Sequence, residues 1–300
     1  MGMLILRPDQ KNAEWLLEKI ISTLKSVSTE IDVISYPPGQ RSIDVVAALN
    51  KENLLFKVVD DLQKLNKAET EDLVKAERAF GASSVVITEH DGGTELEDDV
   101  VYFKYSTKII TPETLRSYLR GEKPLVASIR GNYVLKINPE KFYQRRIKYK
   151  YSRGEIARLI NVSTKAVYMY ETGCMYISLN KAIALAKILG EDIFEGFDLS
   201  AQISEKHVHK PCTPRDHIEE SIYSLATRLG HEFLIFEKTP IDAVIKGKEP
   251  IAVVKSTGEN IKEKIENAEK IASRVKTELV VVKNAKDLDA LRKRLISEPR

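Results

Sequence analysis

Three hundred residues are more than one ordinary domain holds, so two or three domains are expected. Apolar residues make up 43% and the net charge is only +3, which excludes a chain disordered by composition or basic throughout. There is no signal peptide and no apolar run long enough to span a bilayer, so a soluble, cytoplasmic protein without a membrane partner is expected, with Cys174 and Cys212 as free thiols.

In chain order, residues 11–27 carry Leu17, Ile20, Ile21 and Leu24 at helical spacing. Strands are expected at 31–36, 42–48 and 54–59, separated by Pro37, Pro38 and Gly39 and by the polar residues 50–53. A helix over 69–80 stops at Gly81, and a β-branched strand follows at 84–88. Asp91, Gly92 and Gly93 form a turn ahead of a strand at 100–105. Thr111 and Pro112 open another helix, because proline fits the first helical position.

Residues 125–137 read as a hairpin around Arg130, Gly131 and Asn132, followed by a basic helix over 140–150. Ser152 then stands three residues before Glu155, the spacing of a capping box. Ile156, Leu159 and Ile160 form an apolar helix face, and Ala157 is small where a second helix must come close. Asn161 tolerates the left-handed conformation that ends a helix, and Val162 fills the turn. Ser163 offers a second N-cap; Ala166, Val167 and Tyr170 turn inward; Gly173 closes the helix. A helix over 178–189 ends at Gly190. Between residues 139 and 173 eight basic residues stand against three acidic ones, so the positive charge of the chain is concentrated here, where phosphates would need it.

This pattern resembles the Cro/repressor-type helix-turn-helix, carried by Glu155, Ala157, Val162, Ser163, Val167, Tyr170, Glu171 and Gly173. The usual turn glycine is Asn161 and the usual proline after the second helix is Ile177. The resemblance implies a recognition helix over 163–172 in the major groove of double-stranded DNA. Thr164, Lys165, Tyr168 and Met169 would reach base edges. Arg146, Lys148, Ser152, Arg153 and Ser163 would contact phosphates, and Glu171 would brace the helix end. A homodimer on paired half-sites is expected, with its interface supplied by the regions on either side.

Those two regions repeat each other. Residues 213–300 again read as a helix, three strands, a helix, a strand and a last helix, opened by Thr213 and Pro214. The segment from Ser42 to Val46 parallels that from Pro240 to Val244, and Asp44 precedes Lys57 by the same thirteen positions as Asp242 precedes Lys255. This αβββαβ order with Asp and Lys on neighbouring strands resembles the PD-(D/E)XK nuclease fold. That fold implies two carboxylates on Mg²⁺, the second placed two residues before the Lys. Leu55 and Val253 stand there, and neither can ligate a hard cation. Asp44, Lys57, Asp242 and Lys255 are therefore vestigial nuclease positions unless the following helix supplies a carboxylate such as Glu71 or Glu77.

The expected organisation is α/β plus all-α: a nuclease-like arm over 1–124, a hairpin with an all-α helix-turn-helix domain over 125–199, a linker over 200–212 and a second restriction-endonuclease-like arm over 213–300. The plan resembles a family of archaeal helix-turn-helix transcriptional regulators. No enzymatic activity, cofactor or metal is expected. His207, His209, Cys212, Asp216 and His217 are the densest set of zinc-capable residues, but their spacing fits a polar linker better. The alternatives to a regulator are a nuclease targeted by the helix-turn-helix and a protein-bridging coactivator that meets the transcription machinery.

Overall fold

The computed structural model describes residues 13–27, 30–49, 52–201, 213–258, 260–283 and 285–297. They form two compact units. One takes the chain up to Ile87, residues 105–107 and everything from Ser200 on; the other takes residues 88–104 and 108–199. The expected boundary at residue 124 does not coincide with this division.

The first unit begins with α1 (Ala13–Lys25), which buries Leu16, Ile20 and Leu24. Strands β1 (Ile31–Val33), β2 (Val45–Leu49) and β3 (Glu52–Val58) pair antiparallel in that order. Helix α2 (Lys67–Phe80) starts two residues earlier than its apolar pattern suggests, because Asn66 and Glu69 complete a reciprocal capping box. Gly81 ends it at φ 63. Strand β4 (Ser83–Ile87) then pairs in parallel with β3. Residues 54–58 and the whole of β4 are buried, which is why these strands read as apolar runs rather than alternations.

The second unit opens with a small ribbon of β5 (His90–Asp91) and β6 (Thr94–Glu95), then β7 (Val100–Lys104), β8 (Thr107–Ile110) and α3 (Pro112–Leu119). Strand β9 (Val126–Ile129) pairs in parallel with β7 and in a hairpin with β10 (Asn132–Ile137). The two-residue hairpin loop has Arg130 at φ 51 and Gly131 at φ 77, a turn twisted to match its strands. Helices α4 (Pro139–Lys148), α5 (Arg153–Leu159) and α6 (Thr164–Glu171) follow, then β11 (Ile177–Ser178), α7 (Leu179–Leu189) and β12 (Phe194–Glu195). Both β11 and β12 pair with β10. The expectation of an all-α module is thereby corrected: Leu135 and Ile137 of β10 and Ile177 of β11 share one core with Phe142, Ile156, Val167, Leu185 and Leu189. Four short helices of this size bury too little on their own, and β10 and β11 add to their core.

The chain then returns to the first unit. Helix α8 (His217–Arg228) is capped by Asp216, whose carboxylate accepts from Glu219 N at 2.9 Å, not by Thr213 and Pro214. Strands β13 (Glu232–Ile235), β14 (Ala243–Lys246) and β15 (Pro250–Lys255) are antiparallel neighbours. Helix α9 (Ile261–Val275) leads to β16 (Glu278–Val282), parallel to β15, and α10 (Ala285–Ser297) follows. The order β13-β14-β15-β16 repeats β1-β2-β3-β4, strand direction included. Most of the expected linker, with His207, His209 and Cys212, lies outside the described residues.

The two arms meet through matching contacts. From α2, Asp72 accepts from the amides of Glu237 at 2.9 Å and Lys238 at 2.6 Å, Lys75 Nζ donates to the Ile235 carbonyl at 2.8 Å, and Arg78 pairs with Glu232 at 2.6 Å. From α9, Asn267 Oδ1 accepts from the Ser35 amide at 2.7 Å, Lys270 Nζ donates to the Val33 carbonyl at 3.1 Å, and Arg274 pairs with Asp32 at 2.7 Å. Phe80 and Phe236 stack at 6.3 Å. On this surface each arm is covered by the other arm of the same chain.

Candidate nucleic-acid interface

Each end of the α5–α6 pair is set by short-range chemistry. Ser152 Oγ accepts from Glu155 N at 3.1 Å, and Glu155 accepts from Ser152 N at 2.7 Å. The Glu155 carboxyl is held below its usual value by those hydrogen bonds to Ser152. Asn161 lies at φ 53, where the family places glycine, and Val162 N closes the turn on Ala157 O at 2.9 Å. Ser163 Oγ accepts from Ala166 N at 3.1 Å. Both serines are exposed.

The second helix is sharply two-faced. Val167 and Tyr170 are buried, whereas Thr164, Lys165 and Tyr168 are exposed and Met169 is half-buried. Among the described residues Lys165 has no ion-pair partner. Lys148 is also exposed. Expected base-contacting positions thus share the outer face, and Ser152, Arg153, Ser163 and Lys148 all reach solvent.

Arg146 does not. It is buried at 7% exposure; its guanidinium donates to Glu171 Oε1 at 3.0 and 2.6 Å and to the Tyr151 carbonyl at 2.9 Å. This corrects its assignment to a phosphate: every edge of the fork that the structure engages is used inside the protein. The physical reason is Glu171, a buried carboxylate on α6 that needs a cation. Burial alone would raise its carboxyl, but hydrogen bonds from Arg146 and Arg153 outweigh that and hold it below the usual value. Arg153 shares the same carboxylate through Glu171 Oε2 while its guanidinium lies 5.2 Å from the ring centre of Tyr168. Arg153 is therefore a partly exposed cation laid along the outer face of α6, and Arg146 is its buried counterpart.

The arms hold the other predicted positions. Asp44 and Lys57 face each other across β2 and β3; Lys57 Nζ lies 3.3 Å from Asp44 and 3.2 Å from Glu69, and donates to the Arg41 carbonyl at 2.7 Å. The carboxylate supplied by the following helix is thus Glu69. Glu71 is exposed and pairs with Lys67, and Glu77 accepts from Ser84 N and Oγ. Asp44 also pairs with Arg41 at 2.7 Å. Leu55, at the second-carboxylate place, is fully buried.

In the second arm the expected equivalence fails. Ala243 pairs with Val253, which sets Val254 rather than Lys255 across from Asp242. Asp242 instead takes Lys264 of α9 at 2.6 Å, and Lys255 turns to the opposite face, 2.5 Å from Asp216 and 2.6 Å from Glu219. The β14–β15 strands are one pair shorter than β2–β3 and their loop is one residue longer, so thirteen positions no longer return to the same place. The residue matching Leu55 is Ala252, not Val253, and it is also buried and apolar. Neither arm fits a Mg²⁺ site: a lysine ammonium already neutralises the nearby carboxylates, and oxygen ligands are lacking where the second is required. Among the described residues no group of three or more His, Cys, Asp or Glu side chains is placed to hold a metal. Asp216, read earlier with the histidines, caps α8 and pairs with Lys255.

Sequence reasoning missed Glu69, Arg41, Asp72 and Lys264. The Asn66-to-Glu69 capping spacing signalled the first; the others depend on which strand faces which helix.

Comparison with known proteins matches two segments separately. A PD-(D/E)XK superfamily domain matches residues 13–124, and a helix-turn-helix domain matches residues 142–195. The chain is similar to a protein of Pyrococcus furiosus provisionally named an HTH-type transcriptional regulatory protein, 31% identical over 79% of this chain and 74% of the relative. Relatives with the same provisional name come from Methanocaldococcus jannaschii, 27% identical over 77% of this chain and 72% of the relative, and from Thermoplasma acidophilum, 28% identical over 88% and 84%. No solved structure matches the chain. Among the described residues no helix is long and apolar enough to cross a membrane.

Proposed function

The chain belongs to the archaeal family of HTH-type transcriptional regulatory proteins, and we propose that within it this protein is a sequence-specific regulator that lays α6 in the major groove of double-stranded DNA. The observation that carries this reading is the two-faced α6: Val167 and Tyr170 anchor it, while Thr164, Lys165 and Tyr168 stand outward. Thr164, Lys165, Tyr168 and Met169 read base edges; Lys148, Ser152, Arg153 and Ser163 hold phosphates. Binding DNA draws Arg153 from Glu171 toward a phosphate, and Arg146 stays behind to keep the carboxylate neutralised. A homodimer in the cytoplasm reads two half-sites about 34 Å apart. Its interface lies away from the α2 and α9 contacts, which one chain already fills.

We propose further that both arms are scaffolds rather than nucleases. Supporting this are the lysine ammonium between Asp44 and Glu69 and the apolar residues Leu55 and Ala252 at the ligand places. Mg²⁺-dependent cleavage of DNA that disappears on Asp44→Ala would overturn it.

Selection of bound sites from random duplexes at fixed salt tests the main reading. A recovered consensus is expected, with Lys165→Ala relaxing its sequence preference. Arg153→Ala is expected to weaken all duplexes alike and to lower the salt slope by about 1. Binding to no duplex, with retained affinity for transcription factors, would replace it with a protein-bridging role.

A further inference from the structure

The contacts between the arms come in two sets that answer each other. Asp72, Lys75 and Arg78 on α2 recur as Asn267, Lys270 and Arg274 on α9. Their targets recur too: an acidic residue, a strand-end carbonyl and a following amide, supplied by Glu232, Ile235 and Glu237 on one side and by Glu30, Val33 and Ser35 on the other, with Asp32 a further partner of Arg274. Residue i of one arm meets j of the other, and the counterpart of j meets the counterpart of i. That is the property of an isologous, two-fold interface, here made between two segments of one polypeptide.

We infer that this seam is an internal dimer: the second arm is the resident occupant of the place that a second copy of the first arm would take, so arm-to-arm contact does not join chains. Two differences between the arms select the mixed pair. Asp72 is matched by Asn267, so the seam holds one buried carboxylate where two first arms would bring two. Burial pushes the Asp72 carboxyl up despite its Lys75 and amide partners, so a second such group would add a second desolvation cost. The Phe80–Phe236 stack is also unique to the mixed pair: α9 ends in Val275 where α2 ends in Phe80, and Ile34 follows β1 as Phe236 follows β13. Covalent continuity adds to this, since a tethered partner is met intramolecularly. Each arm pair thus carries one helix-turn-helix, and a second reading head has to come from contact elsewhere on the molecule.

The test uses the full chain with Cys174 and Cys212 changed to Ser and needs no DNA. Arg78→Cys with Glu232→Cys probes one half of the seam; Asp32→Cys with Arg274→Cys probes the other. All four side chains keep partial solvent exposure, so a reagent can reach them. A short bis-maleimide is expected to join each pair within one chain, giving a product of 33.9 kDa whose yield does not change on dilution. A product of twice that mass, or cross-linking between chains carrying Arg78→Cys alone and Glu232→Cys alone, would overturn the inference in favour of exchanged arms. Absence of any cross-link in both pairs would overturn the seam itself. As an independent check, Arg78→Glu is expected to raise amide exchange in α2 and β13, and Arg78→Glu combined with Glu232→Arg to restore protection. Loss of DNA recognition alone would leave all of these outcomes unchanged.

Discussion

In the first arm Lys57 lies across from Asp44 and also reaches Glu69; in the second, Val254 occupies the corresponding place, and the lysine one residue later serves Asp216 and Glu219 on the other face of the sheet. The arms keep the same strand order and the same seam, yet neutralise their buried carboxylates by different wiring. The comparison teaches that topology and interface are robust to a one-residue change in a hairpin, whereas charge placement is not, because every side chain past the change moves to the opposite face.

The largest effect should come from Lys57→Ala. Glu69 then loses the ammonium beside it while buried at 3% exposure, and a loss of about 3–5 kcal/mol is expected in denaturant unfolding. Lys255→Ala should cost less, about 1–2 kcal/mol, since Glu219 keeps Arg215 at 2.7 Å and Asp216 is partly exposed. Equal losses would break the contrast between the arms.

The helix-turn-helix sharpens it with a third buried cation. Glu171→Ala strands Arg146 and should cost about 3 kcal/mol, detected by thermal or denaturant unfolding, with DNA affinity falling as α6 loosens. The sign with pH follows from the depressed Glu171 carboxyl. Its contribution is present above the ordinary value of 4.5 and is lost as the pH falls through the folded value, so wild type should lose its advantage over Glu171→Ala in acid and keep it at neutrality. A difference that persists unchanged into acid would show that packing, not charge, makes the brace.

The smallest effects concern the turn. Asn161 sits at φ 53, so Asn161→Gly should change stability by less than about 0.5 kcal/mol, whereas Asn161→Val should cost about 1–2 kcal/mol. Equal stability of the two variants would mean that the turn relaxes away from the left-handed conformation.

Local chemistry determined the helix-turn-helix from the sequence: caps at Ser152 and Ser163, the left-handed Asn161 and the period of Ile156, Val167 and Tyr170 all act within a few residues, so they are readable there. The same holds for the strand and helix order of both arms and for the absence of a second carboxylate at Leu55. Tertiary structure alone decided that Arg146 faces Glu171 instead of solvent, that β10 completes the helical core, that Lys255 lies on the other side of its sheet from Asp242, and that the arms close on each other. Each of these depends on strand register or on which element packs against which. Spacing along a chain carries no such information until the pairing partner and the loop between them are known.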